Sequence, residues 1–165
     1  KLLTVGRLEE QKGYDIAIEV CKKLKEEGLQ FDWFVLGDGT LRKQLESEIE
    51  KKKIENCFHL LGVKTNPYPY FKNTDIYVQT SKHEGYVTTV TEAKILNKPI
   101  VCTDVSGARE QLIDNINGSI TEINANSVYN KLKELIIDKN KRDTYTETLE
   151  QESGLNRPNW LKCFE

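Results

Sequence analysis

Two carboxylates stand eight residues apart in the stretch SKHEGYVTTVTEAKIL, residues 81–96: Glu84, followed by Gly85, and Glu92, followed by Ala93. Carboxylate oxygens accept strongly, so such groups suit the hydroxyl pairs of a sugar or a ribose. Two cations, Arg7 and Lys12, flank a short turn in VGRLEEQKG. By fork and by point charge they can neutralise a diphosphate, although an isolated Arg and Lys pair is also ordinary solvated surface. The sequence holds no Asp-x-Asp pair, the usual carboxylate clamp for a magnesium-bound sugar nucleotide. A diphosphate held without metal needs protein cations and helix-end amides instead.

This chemistry depends on whether YVTTVT is strand or helix. Its β-branched residues favour a strand, and a solvated glutamate on each side of a buried strand is the competing reading. We expect a helix over Val87–Leu96, because tertiary context overrides a few tenths of a kcal/mol per residue. A helix starting after Gly85 points its free amides at the crevice that Arg7 and Lys12 face. Gly85 lets backbone approach a phosphate closely. Glu84 then lies in the loop, and Glu92 in the second turn.

The elements that must position these residues alternate between short apolar runs and longer runs of period 3.6. That pattern predicts an α/β fold, a Rossmann-like doubly wound parallel sheet of about six strands with helices on both faces. The strands are expected at Leu2–Val5, Trp33–Leu36, Phe58–Leu61, Ile76–Gln79 and Ile100–Thr103, with a short sixth near Gly118–Thr121. Strand order 3-2-1-4-5-6 with right-handed crossovers is expected. Helices are expected over Asp15–Lys25, stopping at Gly28, around Leu41, Leu45 and Ile49, and around Val128, Leu132, Leu135 and Ile136. Ligands of such sheets sit beyond the carboxyl ends of the strands, where Gly6, Gly37-Asp38-Gly39, TSKHEG and TDVSGARE fall. Gly37-x-Gly39 fails as a dinucleotide fingerprint: Arg42 stands at its third glycine, and it follows the second strand. A tight strand-to-helix turn is the simpler account of it.

At 165 residues, 38% hydrophobic and 30% charged, the chain suits one ordered domain, residues 1–138. A polar helical tail, 139–165, reads as two further helices with Trp160 and Phe164 as its only large anchors. It packs either back on this domain or toward one outside this chain. The net charge of −2 leaves no basic stripe for nucleic acid. Cys21, Cys57, Cys102 and Cys163 form no CxxC pair and read as reduced thiols, the first three in apolar elements. No apolar run approaches membrane-span length, and neither a signal peptide nor a metal site is expected. The sequence contains no methionine, not even at position 1, so we expect it to be part of a longer chain.

VGRLEEQKG, LGDGTLRKQL, EGYVTTVTEA, NKPIVCTDVSGARE and NGSI occur in an order and spacing that resemble the C-terminal domain of family 4 glycosyltransferases of the GT-B fold, over residues 1–138. The resemblance implies a retaining, metal-independent transferase whose donor, a nucleotide-diphosphate sugar, is substrate rather than cofactor. By position it implies Arg7, Lys12, Gly85, Val87 and Thr88 at the diphosphate, and Glu84 and Tyr86 at the donor sugar. Glu92, Gly37, Val63 and Lys64 would meet the nucleoside. No general base, and no other catalytic residue, is assigned. A glycan or lipid-linked acceptor, and any membrane contact, would belong to an N-terminal domain outside this chain. The implied setting is the cytoplasm or the inner face of the membrane, in bacterial polysaccharide or glycolipid assembly. Val87 departs from a frequent glycine and is expected to tighten the sugar side. Thr88-Thr89 would put hydroxyls near the sugar, and Asn97 replaces a glycine that visits the left-handed region. A nucleotide-sugar 2-epimerase of the same fold and a non-catalytic flavodoxin-like interaction module are the alternatives.

Overall fold

In a parallel sheet both faces are covered, so its strands read as continuous apolar runs rather than as alternation. The computed structural model describes residues 1–156 and shows that outcome. Six strands, β1 (Leu2–Val5), β2 (Trp33–Leu36), β3 (Phe58–Leu60), β4 (Ile76–Gln79), β5 (Ile100–Thr103) and β6 (Ser119–Thr121), form one sheet in the order β3-β2-β1-β4-β5-β6. Every pairing is parallel, with Leu2 opposite Trp33 on one side and Ile76 on the other. The expected strand order and strand positions hold, except that β3 ends one residue early and β6 starts one late.

The helices α1 (Tyr14–Glu26), α2 (Arg42–Lys51) and α6 (Ala125–Ile137) bury Leu24, Leu45 and Leu132 in one core with Trp33 and Val35. On the other face α3 (Tyr68–Lys72), α4 (Thr88–Ile95) and α5 (Ala108–Gln111) close a second core around Tyr77, Val90 and Cys102. At five and four residues, α3 and α5 are too short to carry a periodic signal, and sequence reading missed them. Helix α1 stops at Gly28, whose φ of 78° is the left-handed closure expected there. Asn97 takes φ 54°, bearing out its substitution for glycine.

After α6, α7 (Lys139–Asn156) is a single helix that packs on α4 and α6. Its anchors are Tyr145, whose hydroxyl meets Ser119 Oγ at 2.9 Å, and Leu149, both buried. This corrects the expectation that Trp160 and Phe164 are the only large anchors; those two, Cys163 and any second tail helix lie outside the described residues. The other three cysteines are free and buried, and burial pushes the Cys102 thiol up to about 12.

At the lip of β2, Gly37 has φ 142°, and a Cβ there would stand 1.9 Å from the Gly6 carbonyl oxygen. Both the conformation and the backbone contact exclude side chains. Gly37→Ala should therefore cost at least about 2 kcal/mol in urea unfolding. A change within about 0.5 kcal/mol would show that this approach is not needed.

Candidate functional site

The loops after β1 and β4 build the crevice, and backbone contacts join them. Gly13 lies so close to Thr80 that a Cβ would come within 2.0 Å of its carbonyl oxygen. The Lys82 amide donates to the Gln11 carbonyl at 2.8 Å, and the Thr80 hydroxyl to the Lys12 carbonyl at 3.1 Å. Gln11 Nε2 reaches the His83 carbonyl at 3.0 Å. Residues 72 apart in sequence are thus locked side by side.

The lock brings Lys12 Nζ onto Glu84 Oε1 as an ion pair, with both side chains largely buried. Ser81 Oγ donates to the same oxygen at 3.0 Å. The second oxygen of Glu84 accepts from no described residue, so it can take a ligand hydroxyl. Lys12 is consequently engaged rather than standing open to an anion. Arg7 is different: it is 73% exposed, and its ion pair among the described residues is with Glu9, at 3.0 Å.

The expected helix is present but shorter: α4 spans Thr88–Ile95, and Tyr86 and Val87 belong to the loop before it rather than to its first turn. No side chain caps its N-terminus, and the Thr88 and Thr89 amides find no acceptor among the described residues. Orphan donors and the positive end of the dipole make such a terminus an anion site. Glu92 lies one turn beyond Thr88 on the same face, half-buried and with no partner among the described residues. Burial raises its carboxyl above the ordinary 4.5.

Other expected residues fare unevenly. Val87 turns its side chain into the second core, so it does not tighten a sugar pocket; only its backbone faces the crevice. The Thr89 hydroxyl likewise turns inward, toward Gln79 Oε1 at 3.4 Å, while Thr88 is exposed. Tyr86 is exposed, its hydroxyl 3.0 Å from Thr91 Oγ1. A Cβ on Gly85 would meet open space, so nothing in this chain demands glycine there. Gly37 packs on Gly6 and donates its amide to the Gly62 carbonyl at 2.9 Å, which sets the loop carrying exposed Val63 and half-buried Lys64 beside it. A cavity of about 580 Å³ opens next to Glu84, lined also by Gln11, Lys82, His83, Asp104 and Ser106.

Sequence reading missed Ser81, Gln79 and the Asp104–Arg109 pair, whose two bonds measure 2.8 and 2.6 Å. The polar residues at the inner end of a buried strand were the available signal for the first two.

This site can be set against known proteins. The model of the glycosyl transferases group 1 family matches residues 1–151. The chain belongs to that family. It is 37% identical over 116 residues to an uncharacterized glycosyltransferase of Methanocaldococcus jannaschii, covering 70% of this chain and 29% of that one. It is 32% identical over 146 residues to an N-acetylgalactosaminyltransferase of Campylobacter jejuni, covering 87% of this chain and 39% of the relative. That enzyme is named for transfer to an N-acetylgalactosamine-N,N′-diacetylbacillosaminyl-diphospho-undecaprenol acceptor. The chain therefore spans well under half the length of these curated relatives.

Among solved structures, a point mutant of Staphylococcus aureus TarM, crystallised with fondaparinux, α-GlcNAc-glycerol and UDP, superposes with a TM-score of 0.87 at 24% identity. The match covers 100% of this chain and 35% of TarM. Anabaena HepE, solved with UDP and glucose, gives 0.84 at 22% identity, covering 93% of this chain and 43% of HepE. These likenesses place the fold among GT-B glycosyltransferases, as the Rossmann-like half.

The unpartnered Glu92 yields a stability prediction. A raised carboxyl pKa means that the folded state binds the proton more tightly, so ionised Glu92 costs stability at neutral pH. That cost is relieved as pH falls through the folded pKa. Glu92→Gln should raise the melting temperature of the ligand-free chain at pH 7, by less than about 3 °C, with no gain at about pH 3.5. A lower melting temperature at neutral pH would mean that Glu92 is paired in the fold.

Proposed function

We propose that this chain is the donor-binding half of a retaining, metal-independent glycosyltransferase. Its substrate is a nucleotide-diphosphate sugar, and the whole protein passes the sugar to a glycan or lipid-linked acceptor. Membership of the glycosyltransferase family supports the reaction class. The observation that carries the site assignment is the alignment of uncapped α4 with a half-buried, unpartnered Glu92 on its crevice face. A carboxylate held there at a cost to the fold suits a ligand that supplies the missing donors.

In this reading the diphosphate lies at the amino end of α4, met by the amides around Val87 and Thr88 and by Arg7, while Lys12 stays on Glu84 and holds it beside the sugar. Glu92 accepts from the ribose hydroxyls. Gly37, Val63 and Lys64 flank the base, where exposed Val63 offers an apolar face. Glu84 turns its open oxygen to the sugar, with Tyr86 beside it, and Gly85 leaves the room that the donor takes. Charge developing on the departing diphosphate is met by groups already in place, so no metal is required. No carboxylate here acts as a glycosidase-type nucleophile, and the acceptor side belongs to the remainder of the protein.

Two carboxylates with two partners give a divided outcome. Glu92→Gln should weaken UDP and UDP-glucose alike, by roughly 1–3 kcal/mol in calorimetry. Glu84→Gln should leave UDP within about twofold and weaken only the sugar nucleotide. Equal effects of Glu84→Gln on both ligands would move the sugar elsewhere. Affinity for either ligand should be the same in EDTA as in magnesium. Restoration of lost binding by magnesium would overturn the metal-independent reading.

A further inference from the structure

Beneath Glu84 the inner end of β4 carries polar groups where a buried strand would be expected to be apolar. Gln79 is 1% exposed and Ser81 wholly buried, and both lie next to the wholly buried Tyr77. Such groups are costly unless every one is paired, and a complete network specifies a single arrangement. These are paired in series. The Tyr77 hydroxyl donates to Gln79 Oε1 at 2.6 Å, Gln79 Nε2 donates to Ser81 Oγ at 2.5 Å, and Ser81 Oγ donates to Glu84 Oε1 at 3.0 Å.

The direction of this chain is fixed by the chemistry of its members. Two hydroxyls, those of Tyr77 and of Thr89 on the first turn of α4, point into Gln79 Oε1. The orientation is set from the other end: an ionised carboxylate only accepts, so Ser81 gives its one proton to Glu84 Oε1 and needs the NH2 of Gln79 facing it. With the amide reversed, the Ser81 proton would turn to Gln79 and leave Glu84 held by Lys12 alone.

We infer that Gln79 and Ser81 are positioning residues for the sugar end of the donor site. They pin one oxygen of Glu84 and so aim the other at the ligand. Because Thr89 belongs to α4, the same amide ties the aim of Glu84 to the helix end that faces the diphosphate. The inference rests on the donor-site reading above, and it adds that sugar discrimination is set from inside the core.

The test compares UDP with UDP-glucose and UDP-N-acetylglucosamine by calorimetry, in EDTA, on the parent chain and two variants. Ser81→Ala removes the last bond. The triple variant Tyr77→Phe/Gln79→Leu/Thr89→Val removes the upstream half together with both hydroxyls that point into the carboxamide. Both variants should bind UDP within about twofold of the parent while losing about three- to tenfold for the sugar nucleotide that the parent prefers, the scale of one hydrogen bond. A purely structural role would shift UDP and the sugar nucleotides together. Parent-like preference in both variants, or parallel losses for all ligands, overturns the relay and leaves the donor-site reading standing. A parent chain that binds none of the three overturns both.

Discussion

The loops after β1 and β4 come together at a distance that only a glycine backbone permits. Gly13, with φ 65°, sits against the Thr80 carbonyl where a Cβ would lie at 2.0 Å. From that contact follow the backbone bonds that register the two loops, the burial of Lys12 against Glu84, and the position of the chain entering α4. A similar close approach, Gly37 on Gly6, fixes the neighbouring lip. The parallel sheet supplies the platform, but these approaches turn separate strand ends into one crevice.

The electrostatics of that crevice divide into satisfied and unsatisfied parts. Lys12 and one oxygen of Glu84 neutralise each other in the unliganded chain, so the pair sets geometry more than net potential. The second oxygen of Glu84, the first amides of α4, and the Glu92 carboxylate lack partners among the described residues. On the proposed reading, these two acceptors and the run of donors between them meet a ligand with hydroxyls at both ends and an anion between. A Cβ on Gly85 would meet open space among the described residues, room that the proposed ligand would take.

Much of this was legible in sequence because parallel strands and amphipathic helices write their periods locally. β1, β2, β4 and β5 fall on their apolar runs, and Gly28 and Asn97 announce left-handed turns. The helix at Thr88–Ile95 was harder, since its β-branched residues vote for a strand. Burial of Val87, Val90 and Ala93 against the second core outweighs that small preference. What sequence could not show are contacts made across long separations. The Lys12–Glu84 pair and the approach of Gly37 to Gly6 join strand ends that lie side by side only in the assembled sheet. The inward turns of Val87 and Thr89, and the anchoring of α7 by Tyr145 and Leu149, depend on rotamers and packing rather than on period.

The central claim, that a sugar nucleotide binds across the carboxyl ends of β1 and β4, is tested most directly by mapping amide resonances during titration with UDP-glucose in EDTA. Saturable shifts should appear at Gly6–Lys12, Gly85–Thr89 and Glu92, while Asp32, Asp75 and their neighbours at the opposite ends of the strands stay still. Shifts confined to the opposite ends, or none at millimolar ligand, would contradict the account.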